Sequence, residues 1–366
     1  MGEKINWGIL GSGQIARLFA EGLSCVNDAN LYAVGSRSAT NAEQFAKLFN
    51  IEKAYGSFES LVADPAIDVI YVATPHHMHR DHCLLALEAG KAVLCEKPFA
   101  INAEQVQEVI SMARSKQLFC MEAMWMRFLP AMVALKTMVQ AGTLGAPIML
   151  TANFGTAFPF NSNSRQFSLE FAGGALLDLG VYPISLCQQL LGDPAEVVTT
   201  SIVGDTGVDE YSSVILKYQE GHLATLQSSL RHSLPTDAVI TGTKAEVKVH
   251  SPLYRPHKIS VRPYTLQPEN TDNPSRSPLK ELVKSNSLFQ SFALKMENYL
   301  QPLLGAMRTK VYPFVGNGYN YEAMEVNRCL QLSKLESDIM SLDDTLSVAR
   351  IVDQVRAQWG LKYPFE

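Results

Sequence analysis

No two of the six cysteines, at positions 25, 83, 95, 120, 187 and 329, are close enough to form a C-x-x-C pair. A cysteine-based metal knuckle and a dithiol redox centre therefore find no support. A disulfide framework is not expected in a 366-residue chain either. Read as reduced packing thiols, the cysteines predict a reducing, cytoplasmic setting. Charge is also sparse, at 18% of residues. The balance of 31 Lys and Arg against 36 Asp and Glu gives a net −5, which offers nucleic acid no electrostatic footing. No run reads as a membrane span. The longest uncharged stretch, residues 137–164, is broken by Gly142, Gly145, Pro147, Gly155 and Pro159 and carries several Asn and Thr. It reads better as strands beside a ligand cleft. The short apolar start runs straight into a glycine turn, unlike a secretory signal. Asn6 stands where a myristoylation signal requires Ser or Thr.

What the sequence does contain is an ordinary globular composition, with 47% apolar residues and length enough for a sizeable core. At about 150 residues per domain, two domains are expected. Over residues 1–122 the chain alternates. Apolar strands at 5–10, 31–35, 69–73 and 92–95 are each followed by a helix: one with Ile15, Leu18, Phe19 and Leu23 on one face, then 42–49, 77–89 and one after Asn102. Strands without polar alternation predict a parallel sheet covered on both faces, hence a doubly wound α/β Rossmann domain. Residues 123–366 change rhythm. A helix near 131–139 precedes strand-like runs at 148–154, 197–203, 214–218, 223–230 and 239–241. A hairpin spans 214–230. This predicts an α+β domain with a large, mostly antiparallel open sheet, whose free face is a candidate homodimer surface. A proline-punctuated stretch at 263–280 reads as a long loop or lobe. Two helices close the chain, and they are expected to pack back toward the first domain. The last starts at Asp343 or Asp344, carries Val348, Ile351, Val352, Val355 and Trp359 on one face, and stops at Gly360.

Gly11-Ser12-Gly13-Gln14-Ile15-Ala16 follows a strand and opens a helix, the context in which G-x-G-x-x-A binds a dinucleotide. Gly11 allows the tight turn, Gly13 admits the pyrophosphate, and Ala16 lets helix and strand pack. At the end of the second strand an acidic residue would select NAD. The chain has Ser36-Arg37-Ser38 instead, with Arg37 standing 26 residues beyond Gly11. A guanidinium and two hydroxyls suit a 2′-phosphate, which predicts NADP(H).

Two further strand ends should border the same cofactor: Thr74-Pro75-His76 with His79, and Glu96-Lys97-Pro98. A lysine at a buried strand end needs partners and points to function. Gly173-Gly174 leads a helix on which Asp178 and Tyr182, at i and i+4, share a face. The two glycines are expected to let a substrate or the nicotinamide come close. Trp125 and Phe154 are expected to line an apolar part of the substrate pocket beside Asp178 and Tyr182. Arg127 reads as an interdomain ion-pair residue. His76, His77, His79 and His82 invite a zinc reading, but no Cys or carboxylate set completes it, so no metal is expected.

These residues carry a resemblance. The Gly11–Ala16 fingerprint, the Glu96-Lys97-Pro98 triplet and the Gly-Gly…Asp178…Tyr182 helix resemble the Gfo/Idh/MocA oxidoreductases over nearly the whole chain. Tyr182 in place of histidine resembles that family's dihydrodiol dehydrogenase branch. So do the run from Met121 to Pro130, the Gly318–Glu322 and Leu335–Ser337 segments and the Gly360–Pro364 ending. The resemblance implies NADP-dependent oxidation of trans-dihydrodiols or sugars, without a metal, by a dimer. The region 250–295 departs from the branch's pattern. Chemically, oxidising a carbinol requires loss of a hydride and a proton. Free tyrosine has a pKa of about 10, and a nearby ammonium would lower it. Tyr182 is thus assigned as acid/base, Lys97 as its electrostatic partner and Asp178 as orienter; Lys97 as the acid/base remains an alternative. Two other functional readings stay open: a reductase of a sugar-derived ketone of the anhydrofructose type, and a non-catalytic NADP-binding regulator.

Overall fold

The computed structural model describes residues 4–264 and 307–366. The first sheet contains six parallel strands: β1 (Ile5–Leu10), β2 (Ala29–Gly35), β3 (Lys53–Tyr55), β4 (Val69–Val72), β5 (Ala92–Glu96) and β6 (Cys120–Ala123). Their spatial order is β3-β2-β1-β4-β5-β6. The order reverses between β1 and β4, which opens a crevice at the strands' carboxyl ends. Every residue of β4 and β5 is buried, which explains their uninterrupted apolar character. The covering helices are α1 (Gln14–Leu23), α2 (Ala39–Phe49), α3 (Phe58–Val62), α4 (His79–Glu88) and α5 (Ala103–Lys116). Ser38 and Asn102 cap α2 and α5 by accepting backbone N–H bonds from Asn41 and Gln105. The expected helix over 77–89 is split: His76–Met78 form a 3-10 turn and α4 begins at His79.

After α6 (Pro130–Gln140), an eight-stranded sheet is built from β7 (Pro147–Gly155), β8 (Glu196–Val203), β9 (Asp209–Lys217), β10 (Leu223–Ser229), β11 (Ala238–Gly242), β12 (Ala245–Val249), β13 (Lys258–Pro263) and β14 (Arg308–Val311). The order is β14-β13-β12-β11-β7-β10-β9-β8. All neighbours are antiparallel except the central pair β7–β10. The predicted hairpin is β9–β10, closed around Gly221. Residues 137–164 supply the end of α6, then β7 and the loop beyond it. A different segment, Leu169–Leu191, is long and apolar enough to cross a membrane, yet 83% of its most apolar 18-residue stretch is buried inside the protein. It contains α7 (Val181–Leu191), which packs on β7 and β10.

Among the described residues, nothing covers the opposite face of this sheet along β8 and β9. Val198, Thr200 and Ile202 on β8 pair with Ile215, Ser213 and Tyr211 on β9. Thr225 and Gln227 continue that face on β10. The last two helices, α8 (Tyr319–Gln331) and α9 (Leu342–Trp359), pack back on α1 and α5. The Trp7 indole donates to Asn327 Oδ1 at 3.1 Å, and Ala103 N–H to Asp353 at 2.8 Å. Ser341, rather than Asp343 or Asp344, caps α9; the aspartates fill its first turn. Of the expected 263–280 loop, residues from 265 on lie outside the described residues, as does most of the 250–295 region.

Candidate active site

The turn between β1 and α1 is wedged against the end of β4. Gly11 has φ 115°, and a Cβ there would lie 2.8 Å from the Ala73 carbonyl oxygen. A Cβ on Gly13, by contrast, would meet no protein atom within 4 Å. No side chain caps α1, so its first N–H groups stay available to an anion. The turn opens on a cavity of 550 Å³ lined by residues 11–13, 36–38 and 73–75 with Asn41, Phe58 and Met78. That volume lies within the range of about 300–1,000 Å³ usual for small-molecule sites. The residues present fit a dinucleotide.

Ser12 Oγ donates to Ser36 Oγ at 3.2 Å. The oxygen of Ser38 already accepts the Asn41 N–H, which leaves its hydroxyl proton to donate. Arg37 is exposed on the rim, and no described side chain pairs with its guanidinium. Gln14 and Ile15 fall outside this lining, at the start of α1, with Ile15 packed against the core. Asn41, Phe58 and Met78 had no motif to mark them.

Thr74 and Pro75 line the cavity, and the two histidines beyond them serve different ends. Nδ1 of His79 lies 2.7 Å from the Pro98 carbonyl oxygen and Nε2 lies 2.8 Å from that of Thr74. The ring thus sits between the loops after β4 and β5. Burial pushes its pKa down to about 4, so the ring is neutral at pH 7, carries a single N–H and donates to only one of these two carbonyls. His76 Nδ1 approaches the Ala172 carbonyl at 3.4 Å, and burial also holds its pKa well below the ordinary value. His82 Nδ1 meets Thr74 Oγ1 at 2.9 Å. Among the described residues, no group of three or more His, Cys, Asp or Glu could hold a metal ion.

Glu96 does not reach the cofactor cavity. Its carboxylate turns into the core, where it accepts the Tyr71 hydroxyl and the Lys97 N–H. Lys97 points the other way. Its Nζ donates to the Asp178 carbonyl at 2.8 Å and faces Asp178 Oδ1 at 3.4 Å. The same ammonium sits over the Tyr182 ring, 5.0 Å from its centroid. Lys97, Asp178 and Tyr182 therefore meet, but not on one regular helix face: Leu176–Gly180 form a π turn ahead of α7. Such single π turns occur frequently at functional sites.

The two glycines before that turn are not there to admit a ligand. A Cβ on Gly173 would strike the Arg165 and Gln166 carbonyls at 2.7 and 2.6 Å, and one on Gly174 would strike Asp209 Oδ1. They let protein segments approach instead. Asp209 is buried and accepts the Leu176 N–H at 2.8 Å, which fixes where the turn begins.

Tyr182 is a neutral phenol here. Lys97 lies on the ring face rather than at the hydroxyl, so the expected pull toward tyrosinate is absent. Burial pushes the pKa well above its ordinary 10 and the charge of Glu96 adds to that, while the Trp125 hydrogen bond works the other way. Trp125 Nε1 donates to the Tyr182 hydroxyl oxygen at 2.9 Å. Burial alone would raise the pKa of Asp178, but Lys97, Arg165 and His76 hold it well below the usual carboxylate range.

Trp125 and Phe154 are buried next to Tyr182. Trp125 stacks on Tyr319 at 4.6 Å, and Phe154 stacks on Tyr254 at 5.2 Å. Tyr254, Tyr319 and Arg165 complete the site; Tyr319 lies in the Gly318–Glu322 segment, whereas no local pattern marked Tyr254 or Arg165. Arg127 is fully buried and bonds Ser185, Gln188 and Asp344, which makes it structural.

A Rossmann sheet whose strand ends carry an open glycine turn and Lys97, met there by Asp178 of the π turn and Tyr182 of α7, defines a nicotinamide-dependent oxidoreductase. Sequence comparison gives the family. Residues 5–124 match the model described as "Oxidoreductase family, NAD-binding Rossmann fold", and residues 132–248 match the GFO/IDH/MocA C-terminal domain. The chain belongs to the GFO/IDH/MocA oxidoreductase family. It is 35% identical to the trans-1,2-dihydrobenzene-1,2-diol dehydrogenase of Xenopus laevis, over 98% of this chain and 99% of that one. Identity to the mouse enzyme of the same name is 35%, over 98% of both chains. Among solved structures, the aldose-aldose oxidoreductase of Caulobacter crescentus superposes with a TM-score of 0.79 at 20% identity, covering 98% of both chains. A 3-ketoreductase from Actinomadura kijaniata in complex with NADP and TDP-benzene gives 0.78 at 22% identity, covering 97% of this chain and 98% of that one. At those identities the structures show the shared fold.

Proposed function

We propose that this protein is an NADP-dependent dehydrogenase or reductase that moves hydride between nicotinamide C4 and the carbinol or carbonyl carbon of a sugar, polyol or trans-dihydrodiol. The observation that carries this reading is the meeting of Lys97, Asp178 and Tyr182 at the carboxyl edge of the first sheet. The bound cofactor supplies the hydride donor or acceptor. Arg37, Ser36 and Ser38, with no acidic residue at the end of β2, support a 2′-phosphate and hence NADP.

Lys97 has two N–H directions taken by Asp178, and its third can hold the substrate oxygen. Tyr182 accepts from Trp125 and keeps its own proton, which it can give to an oxygen that gains charge as hydride arrives. In oxidation the step reverses: Tyr182 first releases its proton to solvent, and the phenolate then takes the proton of the carbinol oxygen as hydride leaves for the nicotinamide. The aromatic walls around Tyr182 suit the apolar face of a ring. The names of the relatives support a diol. The neutral phenol favours a second reading on the same scaffold, a reductase of a sugar-derived ketone.

We also propose a homodimer formed through the open face of the second sheet, whose centre presents Val198, Thr200, Ile202, Tyr211, Ser213 and Ile215 without a charge. NADPH fluorescence titration followed by turnover assays on sugars, polyols and dihydrodiols tests the enzymatic reading. Turnover on one class supports it. Tight NADPH binding with no turnover on any of them contradicts it and favours a regulatory protein.

A further inference from the structure

Arg165 lies in the loop between β7 and the π turn and belongs to no motif. Its Nη1 donates to Asp178 Oδ1 at 3.1 Å, the same oxygen that Lys97 Nζ approaches at 3.4 Å. Asp178 retains 5% exposure of its side chain, whereas Arg165 keeps 48%. One buried carboxylate thus serves two cations, one inside the cleft and one at its mouth.

The loop around Arg165 is fixed. Gly174 N–H donates to the Gln166 carbonyl at 2.9 Å, and Gly173 packs directly on the Arg165 and Gln166 carbonyls. Phe167 is buried next to it, beneath the Arg231 guanidinium. The glycine pair that opens the Asp178 segment therefore also sets where Arg165 stands.

We infer that Arg165 is a positioning residue for the proposed reaction: by taking one oxygen of Asp178 it keeps that carboxylate from capturing Lys97, and leaves an ammonium N–H directed at the substrate oxygen. The inference rests on the function proposed above. Physically, a buried carboxylate with a single cation draws that cation into a close pair. With Arg165 on the shared oxygen, the Lys97 contact stays long at 3.4 Å and the shorter Lys97 bond goes to a neutral carbonyl. Among the described residues, the charged and titratable groups facing Asp178 are Lys97 after β5, His76 before α4, Arg165 on the loop and Tyr182 on α7.

The test compares Arg165→Gln and Arg165→Lys with Lys97→Met. In R165Q, kcat should fall about tenfold while the NADPH Kd changes less than about twofold, as expected for lost orientation. The acid limb of its kcat/KM profile should move to higher pH, because one of the cations holding the Asp178 carboxylate ionised is gone. R165K should recover most of both effects. Wild-type kcat and an unmoved acid limb in R165Q would overturn the inference. So would equal damage in R165K and R165Q accompanied by weakened NADPH binding, which marks a merely structural loop residue. If K97M is dead while R165Q behaves as wild type, only this inference fails. If K97M retains wild-type kcat, the proposed function fails with it.

Discussion

The indole N–H of Trp125 donates to the hydroxyl oxygen of Tyr182, at 2.9 Å, in a pocket where both side chains are 5% exposed. A phenol whose oxygen is engaged as acceptor still has its proton to give. The pair is braced from behind, since Trp125 stacks on Tyr319 at the start of α8. Trp125→Phe keeps an aromatic ring in the stack and removes the N–H donor together with part of the indole. The variant should fold normally and lose about tenfold in kcat, the scale of one lost positioning bond near the reacting atom. Thermal melting and steady-state kinetics on the same preparation check this; an unchanged kcat contradicts it.

Arg37 carries cofactor choice. It is exposed on the cavity rim with no described partner, so replacing it disturbs no internal bond. Arg37→Ala should raise the KM for NADPH by about tenfold or more, from the loss of a charge-assisted phosphate pair, and leave the NADH KM nearly unchanged. A wild-type enzyme that prefers NADH contradicts the assignment.

Glu122 predicts a pH-dependent stability. It is buried with one oxygen on the Phe99 N–H at 3.2 Å, and burial pushes its pKa from the ordinary 4.5 up to about 7, against the pull of Arg127. Because the folded state holds this proton more tightly than the unfolded chain, its stabilising effect is complete below pH 4.5. It is lost as pH rises toward 7. Glu122→Gln keeps an acceptor for Phe99 and cannot ionise. Relative to wild type, its unfolding free energy should therefore improve by about 1–3 kcal/mol between pH 4.5 and 7.5. Urea unfolding at both pH values measures this, and a difference that does not change with pH contradicts it.

The dimer proposal is tested on the open sheet face. Ile202 is exposed opposite Tyr211. Ile202→Glu places a charge in an apolar contact and should convert a sedimenting dimer to monomer. A wild-type chain that sediments as a monomer contradicts the proposal.

Four strands of the parallel sheet, β1, β2, β4 and β5, were readable because they are largely buried and each ends in a motif. Three elements of that half were not read. β3 has three residues, two of them exposed; α3 has five residues; and β6 contains Glu122, whose charge hides a buried strand. In the second sheet, β12 and β13 carry Glu246, Lys248 and Arg262 on their outward positions, and β14 is exposed throughout. At the site, Lys97, Asp178 and Tyr182 stood in recognisable strings. Arg165 and Tyr254 did not, and Tyr319 stood in the Gly318–Glu322 string with nothing to place it at the site, because these residues come from a loop and two distant segments that only the folded chain brings together. The π turn was equally hidden: spacing of i and i+4 cannot distinguish it from a regular helix turn.

The central claim is that Tyr182 hands the proton over as hydride moves. Tyr182→Phe preserves the ring under Lys97 and between Phe154 and Trp125, and removes only the hydroxyl. Single-turnover hydride transfer from NADPH should slow by about 10²–10⁴-fold, the usual contribution of a positioned acid, while the NADPH Kd stays within about twofold. A Tyr182→Phe enzyme that transfers hydride at most of the wild-type rate would contradict the account.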